Sequence, residues 1–167
     1  MAERFRNRVW ATRPRPGVDR MASAWLIRRF IDPGARFEFT EKPAEESEAV
    51  PFDMYGVEFS HHSDHCTFET LAQRFVIRAP AVEWLGRIVH DLDLKDEKYA
   101  VSEAAAVGRM VDGLRQMLTS DDELLERGIT MFEALYRSFA GQPAPPKRPA
   151  KATSRRRNAL PGTTRRP

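Results

Sequence analysis

Residues 8–39 constrain the fold more than any other part of the chain. Val9 and Ala11 alternate with Trp10 and Thr12, the period-two pattern of a strand, until Pro14-Arg15-Pro16-Gly17 breaks it. Asp19 then reads as the N-cap of a helix running to about Ile31, stopped by Asp32-Pro33-Gly34. Phe37 and Phe39 alternate in a following strand. Strand, helix and strand in that order predict a right-handed crossover with the two strands parallel. After a Glu-rich loop, residues 50–54 and 57–60 read as two short strands around Tyr55-Gly56. The pattern then turns helical. Residues 67–75 suit a short helix, and Pro80 opens another to about Asp91. Ala104, Val107, Val111, Leu114 and Leu118 form the stripe of a third. Ser120-Asp121-Asp122-Glu123 is a capping box for a last helix ending at Phe139 and Gly141, with Gly128 a candidate interruption. The expected class is α+β: a small mixed N-terminal sheet with one crossover helix, followed by a mainly helical second half.

The chain's 167 residues suit one domain without disulfide staples, and its single cysteine excludes an intrachain disulfide. Nothing resembles a secretory segment or a membrane span, so a reducing, cytoplasmic setting is expected. The net charge of +3 is uneven. Residues 142–167 carry eight Lys or Arg and no acid, which leaves 19 bases against 24 acids in residues 1–141. That tail also holds six of the twelve prolines, no aromatic residue and one large aliphatic, Leu160. It cannot bury enough to offset its ordering entropy. The domain is therefore expected to span 1–141, with 142–167 a disordered basic Pro/Arg-rich tail. The acidic body disfavours a nucleic-acid partner, leaving the tail as the only candidate contact.

Residues 58–69, Glu-Phe-Ser-His-His-Ser-Asp-His-Cys-Thr-Phe-Glu, hold three of the four histidines, the only cysteine and several carboxylates. Imidazole, thiolate and carboxylate are the transition-metal ligands. A polar strand-to-helix loop would have a similar composition, and neither Cys-x2-Cys nor His-Glu-x2-His is present. His61, at a strand end, has a fixed direction, whereas for His62 and His65 exposure and burial are equally open. Cys66 precedes a helix N-terminus, where the dipole lowers a thiol pKa. Glu69, in the first turn, is favoured by the same dipole. His90 and Asp93, at i and i+3, can reach one ion, and Gly86 one turn earlier leaves room for it. A solvated polar face is the plainer reading of His90. Glu103 shares a stripe with Ala106, Met110, Gly113 and Met117, so partial burial is expected. Arg29 falls on the apolar stripe of Ala22, Trp25, Leu26 and Phe30, so it needs a carboxylate (Asp32 or Asp53) or a bound anion. With Arg13 and Arg20 it forms a candidate anion site, which Asp19 opposes.

Trp10-Ala11-Thr12-Arg13, Val18-Asp19-Arg20, Ala24-Trp25-Leu26-Ile27, Arg29-Phe30-Ile31-Asp32-Pro33, Pro51-Phe52-Asp53, Cys66-Thr67-Phe68-Glu69 and Ile88-Val89-His90-Asp91-Leu92-Asp93 together resemble one family. It is the C-terminal domain of ChrB-type chromate-resistance proteins, and the match runs in order over residues 10–136. The resemblance implies association with bacterial chromate resistance, and in some members with regulation of chromate-efflux operons. Regulatory members carry a further N-terminal domain. Because the chain begins almost at the family motif, that domain is expected to be absent and DNA-binding regulation is disfavoured. The resemblance carries His61, Glu69, His90 and Asp93 as matched polar positions, with Arg13, Asp19, Arg20 and Arg29. The combined expectation is a cytoplasmic chromate-resistance-associated protein with a metal site at His61, Glu69, His90 and Asp93. Two nitrogens and two or more oxygens suit iron, manganese or zinc. The alternative is a non-enzymatic sensor or accessory protein binding chromate, or another small oxyanion, through Arg13, Arg20 and Arg29.

Overall fold

The computed structural model describes residues 2–42 and 47–146. Strand β1 (Val9–Thr12) lies at the centre of a three-stranded sheet, with β2 (Arg36–Phe39) on one side and β3 (Val50–Pro51) on the other. Both pairings are parallel, with Trp10 opposite Phe37 and Val50. The α+β class holds, but the sheet is parallel throughout rather than mixed. Beyond Pro51, β pairing among the described residues is confined to isolated bridges: Phe52 pairs in parallel with Phe59, and His62 with His65 antiparallel. The expected strand at 57–60 is thus reduced to Phe59, whose carbonyl accepts the Asp53 N–H at 2.7 Å.

Helix α1 (Val18–Leu26) supplies the expected crossover and buries Met21, Ala22, Trp25 and Leu26. Its N-cap is Gly17, not Asp19, which lies in the first turn, buried and facing inward. The helix continues as a π-helical turn, Ile27–Ile31, in which the Asp32 N–H reaches back to the Ile27 carbonyl at 2.7 Å. Asp32 has a structural reason to end the helix there. Its carboxylate accepts the N–H groups of Asn7 and Arg8 and the Trp10 indole N–H, clamping the helix end to β1. The wider π turn rotates its side chains away from the 3.6-residue register. Arg29, expected to face the interior and pair with Asp32 or Asp53, is instead 48% exposed, 3.6 Å from Glu133. Its guanidinium lies over Phe30 and Tyr136.

The second half is helical as expected: α2 (Thr67–Arg74), α3 (Pro80–Asp93), α4 (Ala104–Met117) and α5 (Asp121–Phe139). Ser120 caps α5, its hydroxyl accepting the Glu123 N–H. Gly128 does not interrupt α5. A Cβ there would meet the buried Met21 side chain, so the glycine lets α5 approach α1 closely. α4 buries Ala104, Val107 and Val111, whereas Glu103, Met110 and Met117 are exposed, so the second stripe stays in solvent. The core centres on Trp10, Trp25, Phe52, Phe68 and Phe132, all fully buried. Such aromatic burial contributes roughly 2–3 kcal/mol per side chain.

Ordered contacts continue past Gly141. The Trp84 indole, stacked on Phe139, donates to the Pro143 carbonyl at 3.0 Å. Arg87 donates to the Pro145 and Pro146 carbonyls. The remainder of the basic tail, 147–167, lies outside the described residues. Among the described residues, no helix is long and apolar enough to cross a membrane.

Candidate metal centre

In a parallel sheet, the connections leaving a strand toward opposite neighbours open a crevice at its carboxyl end. Here β1 connects through α1 to β2, and the next strand, β3, lies on the other side of β1. Arg13 follows β1 directly, Asp53 follows β3 at φ 48°, and Asp19 occupies the first turn of α1. The left-handed backbone at Asp53 is one that aspartate tolerates better than most residues. Asp19 is 2% exposed, and its carboxylate caps a different helix. It accepts the N–H of Thr67 at 2.7 Å and of Phe68 at 2.8 Å, from the first turn of α2. α2 is thereby pinned to α1 through two otherwise orphaned donors. Glu69 completes that terminus by accepting the Cys66 N–H at 3.0 Å.

Onto this frame the loop after Phe59 places His61. Its Nε2 lies 3.0 Å from Asp19 Oδ2, 3.0 Å from Asp93 Oδ2 and 3.4 Å from Asp53 Oδ1. One ring nitrogen carries at most one proton, so it can donate to only one of the three. The consequence falls on Asp93, whose Oδ2 is buried and has no hydrogen-bond donor. Asp53 is better supplied, with Arg20 Nε at 2.7 Å and the Thr67 hydroxyl at 2.9 Å. The hydrogen bond to Asp19, reinforced by all three carboxylate charges, raises the His61 pKa from 6.5 to about 9 against the lowering effect of burial. Burial, then the neighbouring Asp19 charge, lifts Asp93 to about 6. One ligand atom from each of Asp19, His61 and Asp93 lies within 4.8 Å of the others.

The four residues expected as one ligand set fall into two groups. His61 and Asp93 meet at the crevice with Asp19. His90 is fully buried, with Nδ1 2.7 Å from Glu69 Oε2 and Nε2 3.2 Å from Asp96 Oδ2. The Tyr99 ring packs edge-on against it. Among the described residues, Asp19, His61 and Asp93 are the one group of three such side chains close enough to share an ion. Asp19 and Asp53 join the site without having been expected there. Asp19 had a legible signal, since it stands three residues before Ala22 on the apolar side of α1; the signal for Asp53 is only its place after a strand. His62 and His65 have separate partners, the Glu58 carbonyl and Asp64. The Cys66 thiol is not activated: burial, then the charges of Asp19 and Glu69, push its pKa far up, outweighing the helix terminus. Arg20 is committed to Asp53 and to the carbonyls of Arg13 and Pro14. Arg13 is 3.8 Å from Asp53 and half exposed, on the wall of an open cavity of about 560 Å³ that also includes His61, Tyr55 and Ser60. Arg29, on the α5 side, shares none of these partners.

A small parallel sheet with an acidic, histidine-containing crevice at its strand ends, followed by helices α2–α5, of which α2, α3 and α5 pack on α1, defines an α+β domain with a candidate cation site. The chain belongs to the family described as ChrB, C-terminal domain, whose profile matches residues 10–139. It is 37% identical over 138 residues to Protein ChrB of Cupriavidus metallidurans, which covers 81% of this chain. The chain spans 42% of that relative's length. No solved structure matches it.

Proposed function

We propose that this is a cytoplasmic chromate-resistance-associated protein that binds one divalent metal ion through Asp19, His61 and Asp93. The observation that carries the reading is the buried Asp93 Oδ2, which has no donor although it lies beside an imidazole already shared by two other aspartates. A fold that gathers three carboxylates on one nitrogen leaves negative charge that a cation would neutralise. The donor set of one imidazole and at least two carboxylates, with the thiol left out, suits manganese, iron or zinc. Iron or manganese would supply one-electron redox chemistry, and zinc Lewis acidity. The chain's own contribution is to fix the ligands: Asp19 is held by α2's backbone donors, and Asp53 by Arg20 and Thr67. The association with chromate rests on the family to which the chain belongs. The Arg-lined oxyanion reading has less support, because Arg20 is spent on Asp53 and Arg29 on Glu133, leaving only Arg13 exposed at the crevice. Calorimetric titration with Mn²⁺, Fe²⁺ or Zn²⁺ tests the proposal. Saturable binding that His61→Ala removes and His62→Ala retains is expected; equal binding by both variants would remove the basis for the site.

A further inference from the structure

Glu69, paired with the buried His90 apart from the crevice, lines a second cavity of about 360 Å³ between α2 and α3. We propose that this cavity is a separate ligand site, taking a small amphipathic anion, and that residues 142–146 strap its mouth. Its floor is apolar. Phe68, Ala72 and Val82 line it, and Gly86 leaves open the space a side chain would fill, the nearest atom to a Cβ there being on Phe68 at 3.5 Å. A pocket of this size with an apolar floor and few polar groups is the common form of a small-molecule site. Val76, a β-branched residue at φ 56° and exposed, forms part of the rim; such strain tends to be kept at binding sites.

The charge of the ligand is set by Arg87. Among the described residues this partly buried guanidinium is set against neutral groups: the carbonyls of Pro145 and Pro146, and the ring of Tyr99 at 5.0 Å. Among the described residues it has no ion-pair partner, although a guanidinium's fork suits a carboxylate or sulfonate far better than a pair of peptide carbonyls. Glu69 does not compete for it, since its Oε2 already accepts the Cys66 N–H and faces His90. Glu83 is exposed at the rim, as is Arg78. An anionic head on Arg87 would therefore replace the strap's carbonyls, while the ligand's apolar body covers Phe68 and the gap at Gly86. This site is independent of the metal proposed above.

Fluorescence titration of the full chain with 8-anilino-1-naphthalenesulfonate and its uncharged counterpart N-phenyl-1-naphthylamine tests the inference. The sulfonate should bind saturably and about tenfold or more tighter than the neutral dye, as one charge-assisted contact predicts. Arg87→Gln should erase that preference, and truncation after Gly141 should tighten sulfonate binding by removing the competing carbonyls. Gly86→Leu should abolish binding of both dyes. If that variant unfolds, Gly86→Ala, whose added methyl fits, should still weaken both. Equal affinity for the two dyes would overturn the anion assignment, and unchanged binding after truncation would overturn the strap. Dye binding that survives both Gly86 substitutions, or no binding by the native chain, would overturn the site itself.

Discussion

Asp19→Ala should destabilise the metal-free protein by about 3 kcal/mol. The carboxylate is the acceptor for two buried backbone donors, Thr67 N–H at 2.7 Å and Phe68 N–H at 2.8 Å. Each donor left without a partner costs roughly 1–3 kcal/mol. Removing one of three crowded carboxylates eases repulsion with Asp53 and Asp93 but also loses the hydrogen bond to His61, two opposing effects each on the order of 1 kcal/mol. For a domain of this size, ~3 kcal/mol corresponds to a fall of about 9 °C in melting temperature. Thermal unfolding followed by circular dichroism at neutral pH, in the presence of a chelator, isolates the effect from metal linkage. Asp19→Asn keeps one acceptor oxygen and should lose about half as much. A melting temperature for Asp19→Ala within about 1 °C of the native protein would mean that α2 is not capped by α1, and the frame of the site would be wrong.

Asp93→Asn should have the opposite effect on the metal-free fold at neutral pH, leaving it unchanged or more stable by on the order of 1 kcal/mol, because burial and the Asp19 charge already hold the Asp93 carboxyl up at about 6 and its Oδ2 has no hydrogen-bond donor; a large loss measured by urea unfolding would show that the 3.0 Å contact with His61 outweighs that cost. The His61 pKa, about 9 in the fold and near 6.5 in the unfolded chain, sets a pH window. The imidazolium's contribution is complete below about 6.5 and is lost as pH rises through 9, so the melting temperature of the metal-free protein should fall across that range more than that of His61→Asn. Metal must displace the same proton, so its affinity should climb over the same interval, readable by calorimetry in buffers of different ionisation heat. At the α1–α5 contact, Arg29→Ala should change stability by less than about 0.5 kcal/mol. Arg28→Ala, which breaks a bidentate pair with Glu126, should cost somewhat more, up to about 1 kcal/mol by chemical denaturation.

The crossover unit was legible because its breaks are chemical: Pro14 to Gly17 cannot continue a strand, nor Asp32-Pro33-Gly34 a helix. The α5 terminus was equally plain in Ser120 and Glu123. What failed shares one cause, dependence on tertiary position. A uniform 3.6-residue register put Arg29 inside, and the π turn that moves it out is fixed by Asp32 clamping the helix end to β1, a contact between distant segments. Asp19 looks like a local cap in sequence because the donors it serves lie nearly fifty residues away on α2. The sheet was expected to be mixed because strand direction depends on which side of β1 the chain re-enters, and the short β3 carries no signal for that. His61 and His90 share a ligand chemistry, but spacing alone does not say which carboxylate each will meet. The structure gives Asp19 and Asp93 to one and Glu69 and Asp96 to the other.

The most direct measurement is the metal content of the protein isolated without chelator, by elemental mass spectrometry, for the native chain and for His61→Ala, Asp93→Asn and His90→Ala. About one equivalent of manganese, iron or zinc is expected in the native chain, only traces in His61→Ala and Asp93→Asn, and retention in His90→Ala, whose side chain stands outside the crevice group. Trace metal in the native chain, or a full equivalent surviving both His61→Ala and Asp93→Asn, would contradict the metal site.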